Sequence, residues 1–132
     1  MLFRSIKTEN DIETALSKAI KNGLIAMNQK EIVENVIHEI VNHQELKDCF
    51  SGDIHVLNEQ SIIQKEGKTI KPDRIIINKN NEVHLIDYKT GLHQSKYKQQ
   101  LENYQSAIEK IGYKVTKKSI VYIGRNIEVV NL

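Results

Sequence analysis

The sequence predicts an α/β protein with elements in the order α-α-β-β-β-α-β-β. Three observations carry this. Apolar residues recur at helical spacing over two early stretches. The period changes after Ser51-Gly52, where short apolar runs bounded by turn residues take over. A long helical pattern from Ser95 to Ile111 then separates the strand that ends at Lys89 from two closing strands.

Thr8-Glu9-Asn10-Asp11 reads as a capping box, and Ile12, Ala15, Leu16, Ala19 and Ile20 follow at i, i+3, i+4 spacing until Asn22-Gly23. A second helix starts at Asn28, with Glu31 three residues on. Ile32, Val33, Val36, Ile37, Ile40 and Val41 give it a broad apolar face to about residue 43. Asp53 to Gln64 is strand-like, Glu66-Gly67-Lys68 a turn, and Thr69 to Asn78 the next strand. Pro72 fits the start or edge of a strand because it has no donor for a ladder. Asn78 to Asn81 supplies turn residues before a strand from Glu82 to Lys89. Tyr97, Leu101, Tyr104, Ala107, Ile108 and Ile111 form the buried stripe of the following helix, which Gly112 closes. Lys118 to Ile123 and Ile127 to Val130 make a closing hairpin around Gly124-Arg125-Asn126.

The chain has 132 residues, 39% of them hydrophobic, which suits one globular domain with a real core. Residues 1–50 form its helical part and 51–132 its main part. The single cysteine, Cys49, makes no internal disulfide and fits a reducing, cytoplasmic setting. No apolar run reaches the roughly 18 residues of a membrane span. The net charge of +2 names no partner. Its distribution is more telling: residues 89–118 hold seven lysines against Glu102 and Glu109, a solvated helix face or a surface turned to phosphates.

Strand side chains alternate faces. Asp73, Ile75 and Ile77 therefore share one side of their strand, and Val83, Leu85, Asp87 and Lys89 one side of the next. Acidic and basic groups at the end of an apolar strand face are costly to bury unless paired or metal-bound. Asp73 and Asp87 can converge on one hard cation such as magnesium, which takes one or two carboxylates and keeps several waters. Lys89 points the same way, where its ammonium could hold an attacking water or offset phosphate charge. A purely structural Asp–Lys pair at a strand end is the alternative.

Pro72-Asp73 followed by Asp87-Tyr88-Lys89 resembles the PD-(D/E)xK nuclease signature. With Thr90-Gly91, and with Gln100 and Tyr104 four residues apart on one helical face, the pattern is similar to the RecB-type nuclease domain at the C-terminus of bacterial helicase–nucleases. The resemblance covers roughly residues 50–130 and implies a restriction-endonuclease-like core, a central mixed β-sheet flanked by helices. It implies a DNA nuclease dependent on magnesium, or on manganese, doing exonuclease or end-processing work in recombination and repair beside helicase domains of the same or a partner chain. Asp73 and Asp87 would be metal ligands, the Tyr88 backbone carbonyl a third, and Glu59 a further candidate. Lys89 would orient or activate water, while Gln100 and Tyr104 would support the site or touch DNA.

One departure bears on activity. RecB-type domains carry a histidine ligand in a G-x-x-x-H-like helix ahead of these elements, and none is present here. The pattern would place it just before Leu2-Phe3, so the expectation is a fragment of a longer chain that cleaves slowly. His38 falls opposite the Ile32–Val36–Ile40 face, beside Glu31, Glu34 and Asn42, and reads as a solvated histidine. His93, just past the Asp87 strand, could meet DNA. The rival expectation is a catalytically silent nucleic-acid-binding or scaffolding module with the same fold.

Overall fold

The computed structural model describes residues 6–50, 54–58, 62–63, 69–124 and 126–132. The chain divides into two compact units, Met1–Asp53 and Ile54–Leu132.

In the first unit, Asp11 Oδ2 accepts the backbone N–H groups of Lys7 and Thr8, both at 3.0 Å. It thereby satisfies donors that a helix start leaves open. Helix α1 (Ile12–Lys21) follows and buries Ile12, Ala15, Leu16 and Ala19. Ahead of α2 (Lys30–Val41) a 3₁₀ turn forms at Met27–Gln29, and Gln29 Oε1 reaches back to the Ala26 N–H at 3.0 Å. The box is thus closed by Gln29 rather than by Glu31. Helix α2 buries Ile37, Ile40 and Val41 but leaves Ile32 69% exposed. Ile32 sits too far around the 3.6-residue wheel from Ile37 and Val41 to share their face. Lys30 pairs with Glu13 at 3.0 Å, tying α2 to α1.

The second unit is a five-stranded mixed sheet in the order β1-β4-β5-β6-β7, with a separate two-stranded ribbon β2-β3. The strands are β1 (His55–Asn58), β2 (Ile62–Ile63), β3 (Thr69–Ile70), β4 (Arg74–Ile77), β5 (Glu82–Lys89), β6 (Lys114–Ile123) and β7 (Ile127–Asn131). Among the described residues only β5 and β6 pair in parallel, and α3 (Ser95–Ile111) connects them. The α/β class and the mixed sheet agree with the sequence expectation; the strand count does not. Residues 53–64 give two strands, β1 and β2, and residues 69–78 give β3 and β4. The chain leaves one ladder and enters another at 71–73, where Pro72 fixes φ and has no N–H to donate. β3 accordingly pairs with β2, and β4 with β1 and β5.

The β4–β5 turn is built by Asn78, whose Oδ1 accepts the N–H groups of Asn80 (2.9 Å) and Glu82 (3.0 Å), and by Asn81 at φ 59°. Val83, Leu85, Ile75 and Ile120 of one sheet face pack with Leu101, Tyr104, Ala107 and Ile108 of α3. Gly112, at φ 113°, ends the helix in the left-handed conformation. Ile111, expected in the buried stripe, is 58% exposed beside it. No helix among the described residues is long and apolar enough to cross a membrane.

Candidate active site

Arg74 stands opposite Ile86 in the β4/β5 ladder, so one step outward sets Asp73 against Asp87 on the face that carries α3. Asp73 itself precedes β4 instead of lying in it. The ladder ends at Pro72, which cannot complete a two-way pair with Tyr88, and the Asp73 side chain takes over: its Oδ2 accepts the Tyr88 N–H at 2.9 Å. A local break in the strand therefore turns Asp73 toward the end of β5.

The two carboxyl groups come close enough to share a hydrogen bond. Burial, followed by that bond to Asp87, pushes the Asp73 carboxyl up to about 7, against the opposing pull of the Tyr88 N–H and Lys89. Near neutrality Asp73 is thus divided between its neutral and charged forms. Asp87 is 3% exposed. Its Oδ2 lies 2.8 Å from Lys89 Nζ, an ion pair in which the ammonium approaches outside hydrogen-bond alignment. Burial alone would lower the Lys89 pKa, but Asp87 and then Asp73 outweigh it and hold the ammonium charged.

From α3, Gln100 Nε2 donates to the Tyr104 hydroxyl at 2.8 Å. Burial and the nearby Asp87 raise the Tyr104 pKa, which keeps the hydroxyl protonated and able to donate toward the carboxylates. An open cleft of about 440 Å³ runs alongside, lined by Lys89, Lys96, Tyr97, Gln99, Gln100 and Asn103. Asp73, Asp87, the Tyr88 main chain, Lys89, Gln100 and Tyr104 are therefore brought together around one strand end. Glu59 lies outside the described residues.

Sequence spacing did not single out an aromatic and cationic cluster at the mouth of this cleft. Lys89 Nζ lies 4.6 Å and Lys96 Nζ 5.6 Å from the centre of the Tyr97 ring. Tyr97 tilts against Tyr122 at 6.5 Å, and the His93 ring stacks on Tyr122 at 3.8 Å and 10°. The one local signal is Tyr97 set between Lys96 and Lys98; its distant partners are Lys89 at the end of β5 and Tyr122 on β6. His38, partly exposed on the first unit, lies 3.5 Å from Glu9 and 3.8 Å from Glu34. On the opposite sheet face His84 Nε2 lies 2.8 Å from Ser119 Oγ, which donates to Asn131 Oδ1 at 2.6 Å. The serine proton is committed to Asn131, so His84 supplies Nε2–H and is no general base for Ser119. Burial, and then Lys117, lowers the His84 pKa to about 4.

Removing Asp87 tests whether the carboxylate pair serves the fold. Lys89, 21% exposed, can turn to water, and Asp73 loses the neighbouring charge that helps to raise its pKa. Asp87→Ala should leave the metal-free melting temperature unchanged or raised, as is common at functional sites. A fall of several degrees would make the pair a structural element.

No family model matches the chain, and no curated protein matches it. Among solved structures it is similar to SSO0001 at a TM-score of 0.45 and 22% identity, over 88% of this chain and 60% of that one. The chain thus spans less than two thirds of that protein's length. Among the described residues no three His, Cys, Asp or Glu side chains gather as a metal-binding group.

Proposed function

We propose that the chain is a magnesium-dependent DNA nuclease module that works beside helicase domains in recombination and repair, in the cytoplasm. The observation that carries this is the pairing of half-buried Asp73 with buried Asp87, flanked by the charged Lys89 ammonium at the edge of the Lys96–Asn103 cleft. Two carboxylates on one spot suit a hard ion that accepts one or two of them and completes its shell with water and phosphate oxygen. Asp73 and Asp87 would hold it. The Tyr88 carbonyl, on the same strand edge as the N–H that Asp73 binds, would add a third oxygen. Magnesium, or manganese in its place, supplies positive charge to phosphate oxygens and acidity to a bound water.

Lys89 is held protonated and so is no base. Its role is to fix the attacking water in line with phosphorus and to offset charge as the phosphate becomes pentacovalent. Tyr104, its hydroxyl oriented by Gln100, offers a donor to the same region. Lys96, Gln99 and Asn103 offer a cation and amides to the nucleic-acid backbone. A silent nucleic-acid-binding module is the second reading, supported by the two-carboxylate count among the described residues.

Two measurements separate these readings. Millimolar magnesium should raise the melting temperature of the wild type at pH 8, by mass action on the folded state, and leave Asp73→Asn unmoved. A labelled DNA strand should shorten only when magnesium or manganese is present. A melting shift without degradation would select the silent module; neither effect would remove the metal site.

A further inference from the structure

The stack at the cleft mouth leads further. His93 lies between β5 and α3, one residue ahead of the helix cap Gln94. Its ring covers one face of Tyr122 in parallel contact at 3.8 Å, and its Nε2 is 3.1 Å from Glu128 Oε2 on β7. Tyr122 is buried at 7% exposure, and its hydroxyl faces the Gln94 backbone. His93 remains 54% exposed. The ring is thus clamped by a tyrosine below and a carboxylate at its edge, while the face turned from Tyr122 is open. A surface histidine with no task would ordinarily keep its rotamer freedom; this one is fixed flat. Beside it, Tyr97 carries the Lys89 and Lys96 ammonium groups over its ring, and Lys89 in turn touches Asp87. A continuous path of aromatic rings and cations therefore runs from the carboxylates outward to His93.

The geometry points to His93 as a stacking platform for one unpaired nucleobase of the strand whose phosphate lies at Asp73 and Asp87. This deepens the nuclease reading and rests on it. A flat π-face beside cations that follow the backbone is the general means of holding single-stranded nucleic acid, because every base has a π-face. A base within duplex is already stacked on its neighbours and cannot occupy the platform. The site would therefore select single strands or frayed ends, with little base preference.

Binding without metal tests this independently of hydrolysis. The probes are a short oligothymidylate carrying one 2-aminopurine and a blunt duplex of the same length, in EDTA at low salt. The wild type should quench 2-aminopurine emission and bind the single strand roughly tenfold or more tightly than the duplex, in keeping with the usual worth of one base–aromatic stack. His93→Ala should lose most of the quenching and about tenfold in single-strand affinity, with little change for duplex. His93→Phe, which keeps a ring and loses the polar edge that meets Glu128, should retain both. Equal affinity for the two probes, an unchanged His93→Ala, or a His93→Phe as weak as His93→Ala would each overturn the assignment. Matching far-ultraviolet circular dichroism of the variants guards against a folding defect. If single-strand binding and quenching appear while metal-dependent cleavage fails, the platform stands and the nuclease reading falls.

Discussion

Asp73→Asn should make the melting temperature of the metal-free protein fall, relative to wild type, as the pH drops from 6.5 toward 4. The cause is a pair of opposed titrations. The Asp73 carboxyl is raised from 3.8 to about 7, so the native state keeps a proton that the unfolded chain has lost. Its contribution is full below pH 3.8 and is lost as the pH climbs through 7. His84 is lowered from 6.5 to about 4, so the unfolded chain binds a proton that the native state refuses. That contribution is full above 6.5 and is lost as the pH falls through 4. Between about 4 and 6.5 the two slopes oppose each other and partly cancel in the wild type. Asparagine at 73 can accept the Tyr88 N–H and donate to Asp87 without titrating, which unmasks His84, worth about 2–3 kcal/mol over its window. At pH 8 the same variant should exceed the wild type by about 1–2 kcal/mol, a figure discounted for the partial exposure of Asp73. His84→Gln should show the reverse slope, stability falling as pH rises toward 7. Thermal melts from pH 4 to 8 decide it; parallel curves for all three proteins would remove both shifts.

On the proposed nuclease function, Lys89→Ala should lower the rate of DNA hydrolysis by 100-fold or more at saturating magnesium while leaving magnesium affinity within a few-fold of wild type. The magnitude is that of removing one preorganised charge from the place where transition-state charge develops. Its separation from metal binding follows from the geometry: Lys89 contacts Asp87 Oδ2, but the carboxylates come from two chain segments joined by the Asp73–Tyr88 hydrogen bond. Loss of magnesium binding in parallel with rate would show instead that Lys89 assembles the site. Lys89→Arg should recover less than a full charge would predict, because a longer, planar guanidinium does not put its charge where the compact ammonium sits, 2.8 Å from Asp87 Oδ2.

Much of this was legible in the residues themselves. Two-residue alternation set Asp73, Asp87 and Lys89 on one face, and the β4/β5 register keeps them there. Asn78 to Asn81 announced their turn, and the 3.6-residue spacing of Leu101, Tyr104 and Ile108 announced the helix packed over them. Such features depend on neighbours a few positions apart, so the chain fixes them locally. Tertiary structure decided the rest. Pro72 hinted at an edge, but only the exchange of ladder partners pulled Asp73 out of the strand and onto the Tyr88 N–H. The raised pKa of Asp73 arises first from desolvation, which no spacing encodes. His93 meets Glu128 across 35 residues, and Tyr122 stands opposite Lys89, only because β6 lies parallel to β5 and β7 antiparallel to β6. Periodicity states which way a side chain faces. What it faces depends on strand register, and that is settled by the packing of segments distant in the chain.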